Sequence, residues 1–202
     1  MSMKPDQTGK KYDTISDRWS DVRFDRENGI DAHKRAITFV RSRGRALDVG
    51  CGGTGRIMEY MAKEGFTPDG IDVSEKMIAL ARIRNPEWMF LHDDICSCHL
   101  SETYDLITAW DSIWHVPLNA QAGVISKLVS ALNPNGVMIF SFGGLTVPGE
   151  HTDDSMGPEM YYSSLSTNGY IQVLGNNGCM INHLEFDQYP ELHAYIVAQK
   201  NA

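Results

Sequence analysis

The sequence of 202 residues contains no run of about 18 apolar residues, which argues against a membrane-spanning helix. Residues 1–7 lack the apolar core of a secretory signal peptide, so we expect a cytoplasmic protein with no membrane partner. Only four cysteines are present, too few for a disulfide scaffold in a chain of this length. Cys96, Cys98 and His99 have the spacing of half a zinc site. No second cluster follows, so the sequence favours free thiols and no metal.

Basic side chains are scarce in most of the chain. Eighteen Lys and Arg residues stand against 26 Asp and Glu residues, which gives a net charge of −8. Lys200 is the only basic side chain after Lys127. Proteins that bind nucleic acid need Lys and Arg to displace counterions from phosphates. We therefore expect no nucleic-acid partner.

Apolar runs that predict strands alternate with helical patterns in the middle of the chain. The predicted strands cover residues 46–49, 70–73, 88–91, 105–110 and 137–142. This alternation predicts an α/β fold, with a parallel sheet covered by helices on both faces. Residues 1–45 predict a polar helical segment. Residues 145–165 are rich in Gly, Pro, Asp and Ser, which predicts a long functional loop, and a helical piece and two strand-like runs follow it.

A glycine-rich loop follows the first predicted strand and opens a helix. Gly50-Cys51-Gly52-Gly53-Thr54-Gly55 matches the pattern G-x-G-x-x-G, in which bare backbone allows a ligand to approach closely. Asp72 ends the next strand, at the separation expected of a carboxylate that binds a ribose. Taken alone, these residues predict a nucleotide held by a βαβ unit, and they fit NAD.

Three features favour S-adenosylmethionine over NAD. Asp48 lies inside the strand before the loop, where a carboxylate would repel a pyrophosphate but attract the amino group of S-adenosylmethionine. Asp94 and Ile95 follow the third strand, and an acid beside an apolar side chain suits an adenine ring, although Asp93 competes for that role. Finally, no Tyr is followed by a Lys four residues later, so hydride chemistry has no candidate residue.

The order of these motifs resembles the class I S-adenosylmethionine-dependent methyltransferases over residues 44–143. The resemblance rests on Leu47-Asp48-Val49-Gly50-Cys51-Gly52, Gly70-Ile71-Asp72-Val73-Ser74, Asp94-Ile95, Tyr104-Asp105-Leu106-Ile107 and Leu132-Asn133-Pro134-Asn135-Gly136. It implies a Rossmann-like, doubly wound, mostly parallel sheet with an antiparallel C-terminal strand, in three α/β/α layers. It also implies a methyltransferase domain over residues 46–202, with residues 1–45 as a helical lid and residues 145–165 as a substrate loop.

The glycine loop departs from the usual pattern of that family. The family loop reads Asp-x-Gly-x-Gly-x-Gly, and here Gly53 is an extra residue before Thr54 and Gly55. We expect this residue to bulge the loop or to shift the start of the following helix.

The resemblance implies S-adenosyl-L-methionine as the cofactor. Asp72 would bind both ribose hydroxyls. The residues implied for the methionine part are Asp48, Gly50, Cys51, Gly52 and Trp110. The residues implied for the adenine are Val73, Met77, Asp94 and Ile95.

The methyl acceptor is expected just after the fourth strand, because ligands of open α/β sheets bind beyond the carboxyl ends of the strands. His115 is the first candidate for a general base, Asp111 is the second, and His151 is a weaker one. The candidate substrate-binding residues are Tyr12, Trp19, Trp114, His151, Tyr161 and Tyr162. The alternative for each of them is a side chain that only packs or caps a loop.

Together these inferences predict methyl transfer to an O, N or S nucleophile of a small molecule. The scarcity of basic side chains favours a neutral or cationic acceptor over a polyanionic one. Two alternatives stay open, an NAD(P)-binding oxidoreductase and a non-catalytic nucleotide-binding protein of the same fold. The sequence is compatible with a monomer or a homodimer.

Overall fold

The computed structural model describes residues 3–21 and 24–202, and nine strands lie in that part of the chain. They are β1 (Arg45–Val49), β2 (Thr67–Asp72), β3 (Met89–His92), β4 (Tyr104–Ala109), β5 (Leu132–Gly143), β6 (Gly149–Asp153), β7 (Met160–Ser164), β8 (Cys179–Glu185) and β9 (His193–Lys200). Seven of them form one sheet in the order β3-β2-β1-β4-β5-β9-β8, and β9 alone runs antiparallel to the others. The predicted fold class, with its antiparallel C-terminal strand, is confirmed.

Six α-helices connect or cover these strands. They are α1 (Pro5–Ile15), α2 (Ile30–Ile37), α3 (Arg56–Lys63), α4 (Glu75–Arg84), α5 (Leu118–Ser130) and α6 (Thr167–Asn176). Short 3-10 helices span Ser16–Ser20 and Ile113–His115. Ser74 caps α4, since its hydroxyl accepts a hydrogen bond from the Met77 N–H. None of the helices in the described residues is long and apolar enough to cross a membrane.

The sheet separates two apolar cores. One face packs against α5 and α6 through side chains such as Leu128 and Tyr170. The other face packs against α2, α3 and α4 through side chains such as Ala36, Met58 and Ile78. Helices on both faces leave the carboxyl ends of the parallel strands as the open edge, where ligands of such sheets bind.

The segment expected to be a long loop contains a β-hairpin. β6 and β7 pair antiparallel over five residues each, with Thr152 opposite Tyr161. Alternating side chains of β7 point to opposite sides, and Met160, Tyr161, Ser163 and Ser164 are buried. Tertiary packing therefore orders a segment whose local composition predicts irregular chain.

Helix α1 lies across the strand ends and is fastened to the start of α4. The Asp13 carboxylate accepts hydrogen bonds from the Ser74 hydroxyl (2.6 Å) and from the Lys76 N–H (3.0 Å). Gly9 packs so tightly on α4 that a Cβ there would lie 2.4 Å from the Val73 carbonyl oxygen. Between these two residues of α1, the Lys11 ammonium donates to the Glu159 carbonyl beside β7. Helix α1 of the predicted lid segment thus covers the open edge of the sheet, whereas α2 of the same segment packs in the core on one of its faces.

Candidate functional site

A cavity of about 430 Å³ opens at the carboxyl ends of β1, β2 and β4, beneath α1. We call one part of its wall the cofactor arm, which contains Asp48, Gly50, Gly52, Asp72 and Asp94. We call the other part the acceptor arm, which contains Tyr12, Trp19, Trp114, His115 and Tyr162. The volume lies within the range of ordinary small-molecule sites.

The glycine loop presents bare backbone to the cavity. The N–H groups of Gly50 and Cys51 both donate to the Ile71 carbonyl, at 2.8 and 3.2 Å, which pins the loop to β2. Gly50 has φ +74°, and a Cβ there would lie 2.3 Å from the Ser112 Cβ. Gly52 has φ +58°, and a Cβ there would meet no atom within 4 Å, so the space above it is open. A side chain at either position would strain or clash with this loop.

The extra residue in this loop is absorbed before the helix begins. Gly55 adopts the left-handed conformation, with φ +69°, and α3 starts at Arg56. Arg56 is therefore the first residue of α3, and its side chain lines the cavity.

Asp72 is held by backbone N–H groups at the end of β2. Its two carboxylate oxygens accept hydrogen bonds from the N–H groups of Gly52 (2.9 Å) and Ser74 (2.8 Å). Burial raises the pKa of Asp72, and these two hydrogen bonds oppose the rise. Each oxygen keeps a free lone pair, so the carboxylate can accept two further hydrogen bonds from a ligand.

Asp48 is a buried carboxylate without a side-chain hydrogen bond among the described residues. It is 3% exposed, and burial raises its pKa to about 7. The Asp72 charge adds to this rise, whereas the Arg56 guanidinium opposes it. A carboxylate in this state gains from a cationic ligand, because a nearby positive charge favours its ionised form.

The adenine end predicted from the sequence is built by a rigid turn after β3. The Asp94 carboxylate accepts from the Cys96 N–H at 2.8 Å. The Lys127 ammonium donates to the carbonyls of Ile95, Cys96 and Cys98 within 3.1 Å. The structure brings all ten residues predicted for the cofactor to the wall of one cavity, namely Asp48, Gly50, Cys51, Gly52, Asp72, Val73, Met77, Asp94, Ile95 and Trp110.

His115 is a buried, neutral imidazole in the acceptor arm. Its Nδ1 lies 2.8 Å from the Tyr161 carbonyl oxygen, which can only accept, so this nitrogen carries the proton. Its Nε2 lies 2.7 Å from the Tyr12 hydroxyl and 3.1 Å from the Trp114 Nε1, and both groups donate to it. Burial lowers the pKa of His115 to about 4. The lone pair of Nε2 is thus presented to a hydroxyl group.

Aromatic side chains surround this imidazole. The Tyr12 ring lies 5.4 Å from the rings of both Trp19 and His115, and the Tyr162 ring lies 5.0 Å from His115. These separations are those of packed aromatic pairs. Burial raises the pKa of Tyr12, so its hydroxyl stays protonated and able to donate.

Asp111, the second candidate base, has several partners within the chain. It has φ +53°, its N–H donates to the Ser141 hydroxyl at 2.7 Å, and its carboxylate accepts from Asn28 at 3.1 Å. The carboxylate also contacts His193 Nε2 at 3.2 Å. These partners make Asp111 a junction between segments of the chain, whereas the Nε2 lone pair of His115 is hydrogen-bonded to the Tyr12 hydroxyl.

The sequence does not predict His193 as a site residue, although its side chain lines the cavity. Its Nδ1 lies 2.5 Å from an Asp187 oxygen, and Asp111 holds its other nitrogen. Burial lowers the pKa of His193, but hydrogen bonds and charges from the two carboxylates outweigh that effect and raise it. The imidazole packs 5.4 and 5.6 Å from the rings of Trp110 and Trp114. It thus contacts one residue predicted for the cofactor and one residue of the acceptor arm. No local sequence signal marks this histidine as a site residue, since Asp111 lies 82 positions earlier in the chain.

Two predicted substrate residues do not reach the cavity wall. His151 is exposed on β6, 3.5 Å from an Asp153 oxygen, and stacks on the outer side of Tyr162. Tyr161 is 2% exposed and donates to Glu150, and only its carbonyl acts on the site, through His115. Tyr162, its neighbour on β7, faces the cavity instead. Alternation along the strand decides which of the two tyrosines is presented.

Comparisons with known proteins agree with this geometry. A family model described as a methyltransferase domain matches residues 46–136. Over 142 residues the chain is 28% identical to ubiquinone biosynthesis O-methyltransferase of Pseudomonas fluorescens, covering 65% of this chain and 60% of that protein. Over 148 residues it is 30% identical to the Burkholderia ambifaria protein of the same description, with the same coverage. The chain therefore spans about 60% of the length of these relatives.

A solved structure shares the fold over nearly the whole chain. It is magnesium protoporphyrin IX methyltransferase from Synechocystis PCC 6803 with bound S-adenosylmethionine, at a TM-score of 0.75 and 20% identity, covering 98% of both chains. The oxidoreductase alternative gains no support from these comparisons.

Proposed function

We propose that the chain is a class I S-adenosylmethionine-dependent methyltransferase and that it methylates a hydroxyl group of a neutral, aromatic small molecule. The observation that carries this proposal is the position of His115. Its unprotonated Nε2 accepts a hydrogen bond from the Tyr12 hydroxyl, in the same cavity as the predicted cofactor residues. An acceptor hydroxyl that displaced Tyr12 would find the same lone pair.

The cofactor arm has the donors and acceptors that S-adenosylmethionine requires. Asp72 offers two free lone pairs for the two ribose hydroxyls, and Asp48, which accepts no hydrogen bond from residues 3–21 or 24–202, offers a carboxylate for an ammonium group. The open space over Gly52 leaves room for the chain that joins the ribose to the amino acid. When bound, the cofactor supplies an electrophilic methyl group on a sulfonium.

The acceptor arm favours a neutral aromatic molecule. Tyr12, Trp19, Trp114 and Tyr162 offer aromatic faces and edges. The charges near them are already paired, since Asp111 is bound by His193 and Asn28. An ionic acceptor would have to compete with those pairs or stay unpaired, and burial of an unpaired charge is costly.

His115 would act as the general base. The Tyr161 carbonyl fixes its tautomer, and the low pKa keeps it neutral at physiological pH. A hydroxyl becomes strongly acidic only as its bond to the methyl carbon forms, so a weak base placed at hydrogen-bond distance suffices to take the proton. Helix α1 and the β6–β7 hairpin would serve as lids that orient the acceptor and exclude water.

The proposal is tested first by cofactor binding. Calorimetry should show that S-adenosylhomocysteine binds the purified protein, and that Asp72→Ala weakens binding by about 100-fold or more, since a buried charged partner is lost. Glu75→Ala changes an exposed carboxylate of the same helix start and should leave binding unchanged. Absence of binding to folded wild-type protein would contradict the proposal.

A second experiment identifies the acceptor. The protein and S-adenosylmethionine with a labelled methyl group are incubated with a fractionated metabolite extract, and the labelled product is expected to be a methyl ether of an aromatic compound. Tight cofactor binding without transfer to any fraction would favour a non-catalytic nucleotide-binding protein. A labelled amine or thioether would contradict the choice of a hydroxyl.

A further inference from the structure

The side-chain amide of Gln121 is buried where several segments beside the acceptor arm meet. Gln121 lies near the start of α5 and is fully buried. Its amide nitrogen lies 3.2 Å from the Ile113 carbonyl oxygen, and 2.9 and 2.8 Å from the carbonyl oxygen and the hydroxyl of Ser163. Its amide oxygen accepts a hydrogen bond from the Tyr170 hydroxyl at 2.8 Å. One side chain of α5 thus connects the 3-10 helix at residues 113–115, strand β7 and helix α6.

The chemistry of these partners allows only one orientation of the amide. Carbonyl oxygens can only accept hydrogen bonds, so the NH2 group must face Ile113 and Ser163, and the amide oxygen must face Tyr170. Both ends of the amide are therefore paired inside the protein, where an unpaired polar group is costly. A fully paired buried network of this kind holds the segments it joins at fixed relative positions.

Strand β7 contacts the same region through two of its own side chains. The Ser163 hydroxyl donates to the Val116 carbonyl at 2.7 Å, and the Tyr161 hydroxyl accepts from the Leu118 N–H at 3.1 Å. Tyr161 and Ser163 lie on one face of β7, opposite to Tyr162. We call the pair of Gln121 and Ser163 the clasp, because it fastens the 3-10 helix to this face of β7.

The clasp lies beside the hydrogen bond that orients His115. Ile113 lies two residues before His115, and Ser163 lies two residues after Tyr161. The Tyr161 carbonyl accepts from His115 Nδ1 at 2.8 Å, so the distance between the 3-10 helix and β7 sets the length of this hydrogen bond. If the two segments moved apart, that carbonyl would no longer hold the proton on Nδ1. A proton on Nε2 would then replace the lone pair that accepts from the Tyr12 hydroxyl.

We propose that Gln121 is a positioning residue, which keeps the proton of His115 on Nδ1 and thereby preserves the Nε2 lone pair for the hydroxyl of the methyl acceptor. This inference rests on the proposed function and adds to it a residue that sets the tautomer of the base. Gln121 does not line the cavity. It therefore acts on the reaction through the segments that it joins and not by touching a ligand.

The test reads the tautomer of His115 directly. NMR spectra of the full chain with 15N-labelled histidines distinguish a ring nitrogen that carries the proton from one that accepts a hydrogen bond. His115→Gln identifies the signals of His115 by their loss. Because burial lowers the pKa of His115 to about 4, spectra at pH 7 report the neutral imidazole. We expect the Nδ1-protonated form in wild type and a mixture of both tautomers in Gln121→Met.

Methyl transfer should follow the tautomer. Gln121→Met should reduce transfer of the labelled methyl group to the active extract fraction by about tenfold or more, because a small misplacement of a reacting group is costly. The affinity for S-adenosylhomocysteine should stay within about twofold of wild type, since distant sites act independently. Ser163→Ala removes only the hydroxyl of the clasp and should change the tautomer and the transfer in the same direction by less. This milder variant keeps the test decisive if Gln121→Met does not fold.

Asn177→Ala is the matched control. The Asn177 amide also joins α6 to α5, through a hydrogen bond of 2.9 Å to the Ser126 hydroxyl, and it does not line the cavity. This variant should lose thermal stability but keep the wild-type tautomer and transfer. Thermal unfolding of each variant reports whether it is folded.

Two results would overturn the inference. A wild-type tautomer in folded Gln121→Met or Ser163→Ala with unchanged transfer would mean that the clasp only stabilises the fold. Lost transfer with an unchanged tautomer would mean that Gln121 acts by another route. Absence of cofactor binding and methyl transfer in folded wild-type protein would instead contradict the proposed function. The tautomer spectra need neither ligand, so the two failures are distinguishable.

Discussion

The two arms of the cavity are built from different parts of the chain. The cofactor arm comes from residues 48–95, where each strand end is followed within a few residues by its loop, and backbone N–H groups position its main carboxylate. The acceptor arm collects α1, the 3-10 helices at residues 16–20 and 113–115, and β7, so its residues run from Tyr12 to Tyr162 along the chain. Local geometry therefore determines the first arm, whereas long-range packing determines the second.

This difference predicts that a substitution in one arm can impair methyl transfer without changing cofactor affinity. His115→Gln should have the largest effect on methyl transfer. Loss of the base should reduce methyl transfer by about 100-fold or more, as for other general bases. The affinity for S-adenosylhomocysteine should stay within about twofold of wild type. Transfer of the labelled methyl group and calorimetry measure the two quantities.

His151→Gln is the matched control, because His151 lies on the neighbouring hairpin, exposed and outside the cavity wall. It should leave both quantities unchanged. A loss of cofactor affinity in His115→Gln would show that the arms are coupled, against the comparison drawn here.

A smaller effect concerns pH and belongs to the cofactor arm alone. Burial raises the pKa of Asp48 to about 7, and a bound ammonium group favours its ionised form. Below pH 7 the ligand must displace a proton, so the affinity for S-adenosylhomocysteine should fall as the pH falls, by at most about tenfold per unit. Calorimetry at several pH values, in buffers with different ionisation enthalpies, should show proton release.

Asp48→Asn should abolish this slope and the proton release. Because burial lowers the pKa of His115 to about 4, the acceptor arm should contribute nothing to the slope between pH 5 and 7. A slope that persists in Asp48→Asn would assign the proton to another group.

The smallest expected effect concerns helix α1, which packs beside the cofactor arm through Gly9 and contributes Tyr12 to the acceptor arm. Gly9→Ala would put a Cβ against the Val73 carbonyl and push α1 away from α4. We expect cofactor affinity to fall only a few-fold, with faster hydrogen exchange in residues 5–15, since the sheet and both cores are untouched. Gly175→Ala, at a position with no atom within 4 Å of the added Cβ, is the control. Unchanged exchange in Gly9→Ala would show that the lid does not depend on this contact.

The sequence predicts the cofactor arm well because its signals are local. The alternation of strands and helices indicates the sheet, and Asp72 and the Gly50–Gly52 turn lie at fixed positions relative to their strands. Parallel strands bring those positions together at one edge without further information. All ten residues predicted for the cofactor consequently line one cavity.

The acceptor arm was predicted only in part, since its signals are not local. His115 and Trp114 are predicted because they follow the fourth strand, and Tyr12 because it lies in the segment expected to be a lid. The sequence could not show that β7 presents Tyr162 and turns Tyr161 away, because residues 145–165 lack the apolar alternation of a strand. Nor could it show that the His193 imidazole bridges Asp111 and Asp187, which are brought together only by the closing strand.

The hydrogen bonds from Ser74 and Lys76 to Asp13 link helix α1, which covers the cavity, to the first turn of α4. The first turn of any α-helix has N–H groups without partners inside the helix, and here a residue of α1 accepts one of them for α4. Whenever α1 lifts, α4 loses that acceptor, and fraying of its first turn becomes part of the opening. We therefore expect ligand entry to be coupled to fraying of this turn, and mild denaturant to admit ligand before it unfolds the sheet.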